Sequence, residues 1–523
     1  MRMNSKWVVF ALFPVFCTAE VRLSPCFSSD MVLQRDVPVR LTGWADAGEP
    51  VRVKIGGRVV AETAGQGSGS LWTVVLPVFS AGEVPDLTIE GKNSLTLTNL
   101  LAGEVWVCSG QSNMEMTLAQ GPWCSYGGVL NEAEEVAAAT APQLRLYASA
   151  AKTPWQVCSP ETAKKFSATA YFFGRELQRQ LNVPVGLAVA AVGGTPAEYW
   201  TPRAAREKSP GFAEEVSHAK EVLQGDLKKL FDADRKAVEE WRKAVAAAQQ
   251  KGEALPERPA RLLTDAQDEQ VRVAIHADSA GSGYDARVRP MTGMAVKGVV
   301  WYQGESNCTR ANRYADMMKM LVGGWRTDWN QPDLPFVIMQ LVNFGGGGAT
   351  WGTADSWAVL RAAQQKVADS VPAVWLAIGI DIGDPKNIHP KNKQDAGRRL
   401  ALVALDRVYR QEIVSSGPRP TAVRIDGSSA VLSFDAGGAG QTLVLKGAGG
   451  FELAGADGVF KPAQVVLTGE TAVVSSASID APCAIRYAWS DNPASTLYNT
   501  AGLPAAPFQK IIKQVNEQEL KWH

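Results

Sequence analysis

The sequence predicts an α/β core, a doubly wound parallel sheet of five strands with helices on both sides, flanked by a β-sandwich region at each end. Three observations carry this. Between Gly103 and about Arg410, short apolar runs alternate with segments of helical period, the pattern of strands buried on both faces and joined by helices. Before that stretch and after it, apolar and polar residues alternate between Gly and Pro, as in half-buried antiparallel strands. A chain of 523 residues is also too long for one hydrophobic core, and its length fits roughly three domains.

At the start, Arg2 and Lys6 precede an apolar run over residues 7–17, and Thr18-Ala19 offers a small residue for cleavage. A signal peptide is therefore expected over 1–19, with export to a periplasmic or extracellular compartment. The run is too short to span a bilayer, and no later stretch is long and apolar enough, so no transmembrane segment is expected. A lipid anchor through Cys17 is the lesser alternative, because Val15-Phe16 is a poor fit to the small residues such sites prefer. Cys26, Cys108, Cys124, Cys158, Cys308 and Cys483 contain no CxxC pair, so zinc spacing is absent. Export permits disulfides without specifying their pairing.

Residues 20–100 alternate at 37–41, 51–55, 87–89 and 95–97, the N-terminal β-sandwich. Residues 101–411 form the expected catalytic domain, with strands at 104–109, 185–192, 299–301, 336–341 and 374–380. A helix at 167–181 places Ala170, Phe173, Leu177 and Leu181 on one side. A helical insertion at about 204–285 is rich in Lys, Glu and Ala, with Leu227, Leu230, Val238, Trp241 and Val245 as its apolar stripe and a solvated charged face. The four glycines at 345–348 lack the Lys-Ser/Thr of a phosphate loop and read as a mobile loop. Alternation returns at 422–425, 430–434, 442–445, 465–467 and 472–474, giving a C-terminal β-sandwich region over 412–523.

Lys+Arg and Asp+Glu both number 53, so no net field favours nucleic acid or an anionic membrane. A small ligand recognised locally fits better. In an open α/β sheet ligands bind beyond the carboxyl ends of the strands, so the residues following each strand are the candidates. Ser112 follows the first strand within Gly110-Gln111-Ser112-Asn113, where a hydroxyl can serve as a nucleophile or merely cap a helix. Gly193-Gly194 follow the second, and a glycine there lets a backbone N–H approach a substrate oxygen. A polar cluster, Gln303 to Asn307, follows the third; a run from Asp381 through Asp384 and Asn387 to His389 follows the last. Of four histidines, His218 and His276 lie in or beside the insertion and His523 ends the chain. Only His389 sits at a strand end, where it can act as a base, with Pro390 opening the next helix.

Four ordered motifs, GEVWVCSGQSNM, VGGTPAEYW, KGVVWYQGESN and NIHPKNKQDAGRRLA, resemble the sialate O-acetylesterase family, a branch of the SGNH hydrolases. FSSDMVLQRDVPV near the start and YAWSDNPASTLYNTAGLPAAPF near the end extend the likeness over nearly the whole chain. The resemblance implies an SGNH-type sheet and an exported esterase that removes acetyl groups from sugars. It also implies Ser112 as nucleophile, His389 as base, and an oxyanion hole of the Ser112 and Gly194 N–H groups with the Gln303 amide. Gly193 is the lesser choice for the glycine. Neither metal nor cofactor is called for, and the expected partner is an acetylated glycan or sialic acid; the oligomeric state is open.

Many relatives carry Asp where this chain has Asn387, so the residue orienting His389 stays open among Asn387, Asp384 and Asp381. The same oxygens could hold a metal, although such turns are more often simply turns. Gln111 and Asn113, flanking Ser112, are candidates for contact with substrate. Glu305 is expected to orient Gln303 or the Ser112 loop, the alternative being an ion pair with Arg287 or Arg289. Trp123, Trp200 and Trp351 could form a sugar-stacking platform. Two other readings stand beside the sialate esterase: an acetylesterase for xylan or another glycan, and a catalytically weakened glycan-binding protein.

Overall fold

The computed structural model describes residues 20–66, 70–149, 153–345, 356–512 and 520–521. The expected signal peptide, Cys17, Trp351, His523 and most of the glycine run, 346–348, lie outside the described residues.

The organising element is β1 (Leu100–Gly110), eleven residues long and buried at every position. Its first residues pair with Val32–Gln34 and Gly82–Val84 of the N-terminal region. The remainder is the middle of a parallel sheet built from β2 (Ala141–Ala148), β4 (Val185–Ala191), β5 (Gly298–Tyr302), β6 (Phe336–Met339) and β7 (Val374–Ala377). The order is β2-β4-β1-β5-β6-β7, and β3 (Gln156–Cys158) is added antiparallel at the β2 edge. The fold is thus mixed α/β, a parallel sheet with antiparallel sheets flanking it.

The parallel part has six strands where sequence predicts five; β2 is the one missed. Its apolar run is broken by Arg145, which is buried because its guanidinium donates to the carbonyls of Pro142, Asp30 and Asn99. A charged residue satisfied by main-chain oxygens, two of the three far away in sequence, leaves no local apolar signal.

Alternate residues of each strand face opposite cores, as the two-residue period of a strand requires. Val105, Val107, Val299, Trp301, Phe336 and Ile338 face one, while Trp106, Cys108, Val300, Tyr302, Val337 and Met339 face the other. The first core is continuous with the N-terminal strands through Val39, Leu41, Val53 and Trp72. Tyr314, Leu321 and Trp325 of the helix Ala311–Trp329, with Leu360 of the helix Ser356–Ser370, also belong to it. The second core holds Phe173 and Leu177 of the helix Ala168–Leu181 and Leu400 and Ala404 of the helix Lys393–Arg407.

In the N-terminal region the strands form sheets of three and four strands, and in the C-terminal region sheets of five, four and two. The C-terminal region is tied to the α/β core by Arg361, whose guanidinium donates to the carbonyls of Ser490 and Asp491. The insertion is helical as expected, with helices Phe212–Gln224, Asp226–Lys251 and Asp265–Asp278. Phe231 packs inward with Val222, Leu263 and Val271, while Leu230 of the expected stripe is exposed. His276 lies inside the third of these helices. The six cysteines among the described residues are all free. Among the described residues no helix is long and apolar enough to cross a membrane.

Candidate active site

The register aligns the ends of three strands, with Gly110 of β1 opposite Ala191 of β4 on one side and Tyr302 of β5 on the other. The segments after them therefore meet at one edge. Gly110 has φ +142°, and a Cβ there would sit 2.0 Å from the Tyr302 carbonyl oxygen, so only glycine closes this strand end. Gln111 stitches the loops together: its N–H donates to the Tyr302 carbonyl at 3.1 Å, and its Oε1 accepts from the N–H groups of Gly304 at 3.4 Å and Ser306 at 3.2 Å.

Ser112 begins the short helix α1 (Ser112–Glu115), whose N-cap is Gln111. Its hydroxyl makes no cap, so the helix-capping alternative does not apply. As the first helical residue it has a main-chain N–H with no acceptor inside the helix. The helix is held from behind by Thr169 Oγ1 donating to the Asn113 carbonyl at 3.0 Å and Ser167 Oγ to that of Met114 at 2.6 Å. Ser112 itself is 7% exposed.

The turn after β4 lies directly beside it. A Cβ on Gly193 would lie 3.4 Å from the Ser112 Cβ. The Gly193 N–H donates to Glu115 Oε2 at 2.7 Å, and the Tyr126 hydroxyl donates to the same oxygen. Gly194 has φ +71° and is exposed, and its N–H has no acceptor among the described residues. Ser112 and Gly194 thus present at one strand edge two amides with no acceptor among the described residues.

His389 is half-buried and stacks on Tyr126, with ring centroids 4.4 Å apart and planes 18° from parallel. Tyr126 therefore connects His389 to Glu115 and the Ser112 helix. Neither imidazole nitrogen has a hydrogen-bond partner among the described residues; in unliganded enzymes such bonds are often long and tighten with substrate. Burial pushes the His389 pKa down to about 4, assisted by the positive charges of Lys393 and Lys391.

None of the three expected orienters faces the ring. Asn387 Oδ1 accepts the main-chain N–H of His389 at 2.9 Å, and Asp384 Oδ1 accepts those of Lys386 at 2.8 Å and Asn387 at 3.2 Å. These are turn-forming bonds of short polar side chains to nearby backbone. Asp381 pairs with Arg399 and accepts from the Tyr498 hydroxyl at 3.3 Å. Among the described residues no cluster of three His, Cys, Asp or Glu side chains is placed to hold a metal ion.

Two further expectations are corrected. Gln303 is 0% exposed, and its amide nitrogen donates to Asn307 Oδ1 at 2.7 Å and the Thr195 carbonyl at 3.3 Å, so both amide hydrogens are directed into the protein. Its Oε1 accepts from the Tyr314 hydroxyl at 3.0 Å. Trp200, also 0% exposed, donates to Thr195 Oγ1 and packs edge-on against Trp301, so it is core and not a sugar platform. Trp123 is 43% exposed, with Lys165 over its ring.

Asn113 is buried and does not face the substrate side. Its Nδ2 donates to Glu305 Oε1 and, at 3.1 Å, to the Ile388 carbonyl; its Oδ1 accepts from Lys393 Nζ at 2.8 Å. Glu305 therefore meets the residue next to Ser112, whereas Arg289 pairs with Asp285 and Asp328. Sequence reasoning missed Glu115, Tyr126 and Lys393. Glu115 stands one helical turn after Ser112, a legible signal, and Lys393 stands one turn after Pro390; nothing local marks Tyr126.

Residues 102–231 and 278–406 match the family described as carbohydrate esterase, sialic acid-specific acetylesterase. A carbohydrate acetylesterase of known structure from Xanthomonas citri is 30% identical, with a TM-score of 0.74, over 94% of this chain and 99% of its own. The sialate O-acetylesterase of Rattus norvegicus is 27% identical over 94% of each chain, and that of Homo sapiens 24% identical over 79% of this chain and 76% of its own. The matched segments contain both Ser112 and His389, and the break between them falls in the helical insertion. The chain therefore belongs to the sialic acid-specific acetylesterase family of carbohydrate esterases, and it is an ester hydrolase.

Proposed function

We propose that this esterase removes O-acetyl groups from sugars, sialic acids foremost, through an acetyl-enzyme formed on Ser112 with His389 as the base. The observation that carries this is one strand edge: a Ser112 hydroxyl and the N–H groups of Ser112 and Gly194, all without a partner among the described residues, with a half-buried imidazole linked to the same helix through Tyr126 and Glu115. As Ser112 Oγ bonds to the acetyl carbonyl carbon, its proton passes to His389. The negative charge moves to the carbonyl oxygen, where the N–H groups of Ser112 and Gly194 stabilise it. Collapse of this intermediate breaks the bond to the sugar oxygen, which takes the proton back from His389. Water then repeats the sequence on the acetyl-enzyme and releases acetate. Gln303 supports the oxyanion side indirectly, by holding Thr195 and Asn307.

A half-buried imidazole with a pKa near 4 is neutral, and so competent as a base, at neutral pH. The sugar preference rests on relatives named as sialate O-acetylesterases, and export rests on the leader expected over residues 1–19. Ser112→Ala and His389→Ala should each lower turnover of an aryl acetate by roughly 10⁴-fold or more; near-native turnover by Ser112→Ala overturns the proposal. Acetate should be released faster from 9-O-acetylated sialic acid than from acetylated xylan, and the reverse order points to a plant-glycan acetylesterase. Glycan affinity without turnover of any acetyl ester would identify a binding protein instead.

A further inference from the structure

The backbone on both sides of His389 is gripped by two linked side chains, one of them next to the nucleophile in sequence. The carbonyl of Ile388, just before it, accepts from Asn113 Nδ2 at 3.1 Å. The carbonyl of Pro390, just after it, accepts from Lys393 Nζ at 2.7 Å. The two donors are joined to each other, because Lys393 Nζ also donates to Asn113 Oδ1 at 2.8 Å. Asn113 follows Ser112 in α1, and its amide also bonds Glu305 Oε1 in the segment after β5. Both Asn113 and Lys393 are 0% exposed.

We infer that Lys393 and Asn113 are the positioning residues of this active site, a buried clamp that sets where His389 stands relative to Ser112 in place of a carboxylate on the imidazole. The inference rests on the Ser112–His389 reading above and deepens it.

Three facts make the clamp the determining contact. The side chains that would orient the ring by sequence analogy, Asn387, Asp384 and Asp381, are directed elsewhere. A buried ammonium is costly unless its protons find acceptors, and Lys393 has two oxygens on the two elements that must be brought together. A buried lysine would otherwise be a defect at this position, where an apolar side chain would pack at lower cost. Third, Asn113 has an acceptor for each amide hydrogen and a donor for its oxygen, so its orientation is determined and it cannot turn without breaking the link.

The clamp also has an electrostatic signature. Tyr126, which is bonded to Glu115, stacks on the His389 ring, and the ammonium groups of Lys391 and Lys393 act on it by charge from its own loop and the following helix, with Glu305 beyond Asn113. Burial pushes the Lys393 pKa down to about 7 and the Glu305 carboxyl up, with the Glu305 charge opposing the shift at Lys393. Loss of the Lys393 cation should raise the His389 pKa; exposure of the ring to water would raise it as well, so Lys393→Arg, which keeps the charge, is the control that separates the two.

The experiment compares kcat, KM and the pH profile of aryl acetate hydrolysis in Lys393→Met, Lys393→Arg and Asn113→Ala, with Ser112→Ala and His389→Ala as references. A misplacement of catalytic groups by about 1 Å costs on the order of 100-fold, so Lys393→Met and Asn113→Ala should each lower kcat by roughly 10- to 100-fold with KM nearly unchanged. Because both act through one clamp, the double variant should lose less than the product of the two losses. The acid limb of kcat/KM should move to higher pH in Lys393→Met and stay in place in Lys393→Arg. Wild-type kcat in a folded Lys393→Met or Asn113→Ala overturns the inference, as does a lowered kcat with an unmoved acid limb in Lys393→Met. Should Lys393→Met not fold, Asn113→Ala decides alone through the same kcat comparison. If Ser112→Ala or His389→Ala stays active, the underlying mechanism has failed; if those are inactive while the clamp variants are normal, only the clamp has failed.

Discussion

Glu115 offers the most direct test of how the site is assembled. Its Oε2 accepts the Gly193 N–H at 2.7 Å and the Tyr126 hydroxyl, so one carboxylate holds the turn bearing Gly194 and the ring on which His389 stacks. Replacing it with alanine removes two hydrogen bonds to a charged acceptor, each worth about 1.5–3 kcal/mol. Glu115, Tyr126 and Gly193 are all half-buried, so water replaces part of both bonds, and a net loss of about 1.5–3 kcal/mol in stability is expected. Catalysis should suffer more than stability. With the turn and the Tyr126 ring both released, kcat should fall roughly 10- to 100-fold. Glu115→Gln, which keeps an acceptor, should recover most of it. The assay is aryl acetate turnover alongside urea unfolding of the same preparations. Glu115→Ala with wild-type kcat and a stability change within about 0.5 kcal/mol, the ordinary range for surface substitutions, would refute the assembly described here.

Other outcomes are equally specific. Trp200→Ala should destabilise the protein by about 3–5 kcal/mol, the cost of emptying a buried aromatic site, whereas Trp123→Ala should stay within about 0.5 kcal/mol and show its effect, if any, in the KM for a sugar ester. Asn387→Asp should change kcat by less than about tenfold, far from the roughly 10⁴ of a true triad acceptor, because this side chain bonds the His389 backbone and not the ring. Since the folded-state pKa of His389 lies near 4, below its ordinary value, the neutral base persists as pH falls, and the acid limb of kcat/KM should lie near pH 4. A limb near 6.5, the ordinary histidine value, would show a solvated ring. Gly194→Ala should cost about 1–2 kcal/mol for a left-handed φ, with no steric clash because nothing lies within 4 Å of the added carbon.

The strand-to-helix alternation, the β-rich ends and the strand-end positions of Ser112, Gly194 and His389 were all legible in the chain, for a common reason. Element type and strand limits are written in local periodicity and in residues such as Gly110, whose neighbours within a few positions suffice to mark a turn. Even there a single buried charge, Arg145, hid one strand of the parallel sheet, because what satisfies it comes from Asp30 and Asn99 in the N-terminal region.

Which partner each polar side chain takes was decided only by the fold. Gln303, Asn387 and Asp384 carry the right chemistry at the right strand ends, yet their donors and acceptors are turned to nearer groups. Trp200 reads as a loop residue beyond a strand and is sealed into the core. The contact that places His389 joins Asn113 to Lys393 across 280 residues. No local pattern encodes such a bond. It exists because β1 and the segment after β7 reach the same sheet edge, and burial there compels every donor to find an acceptor.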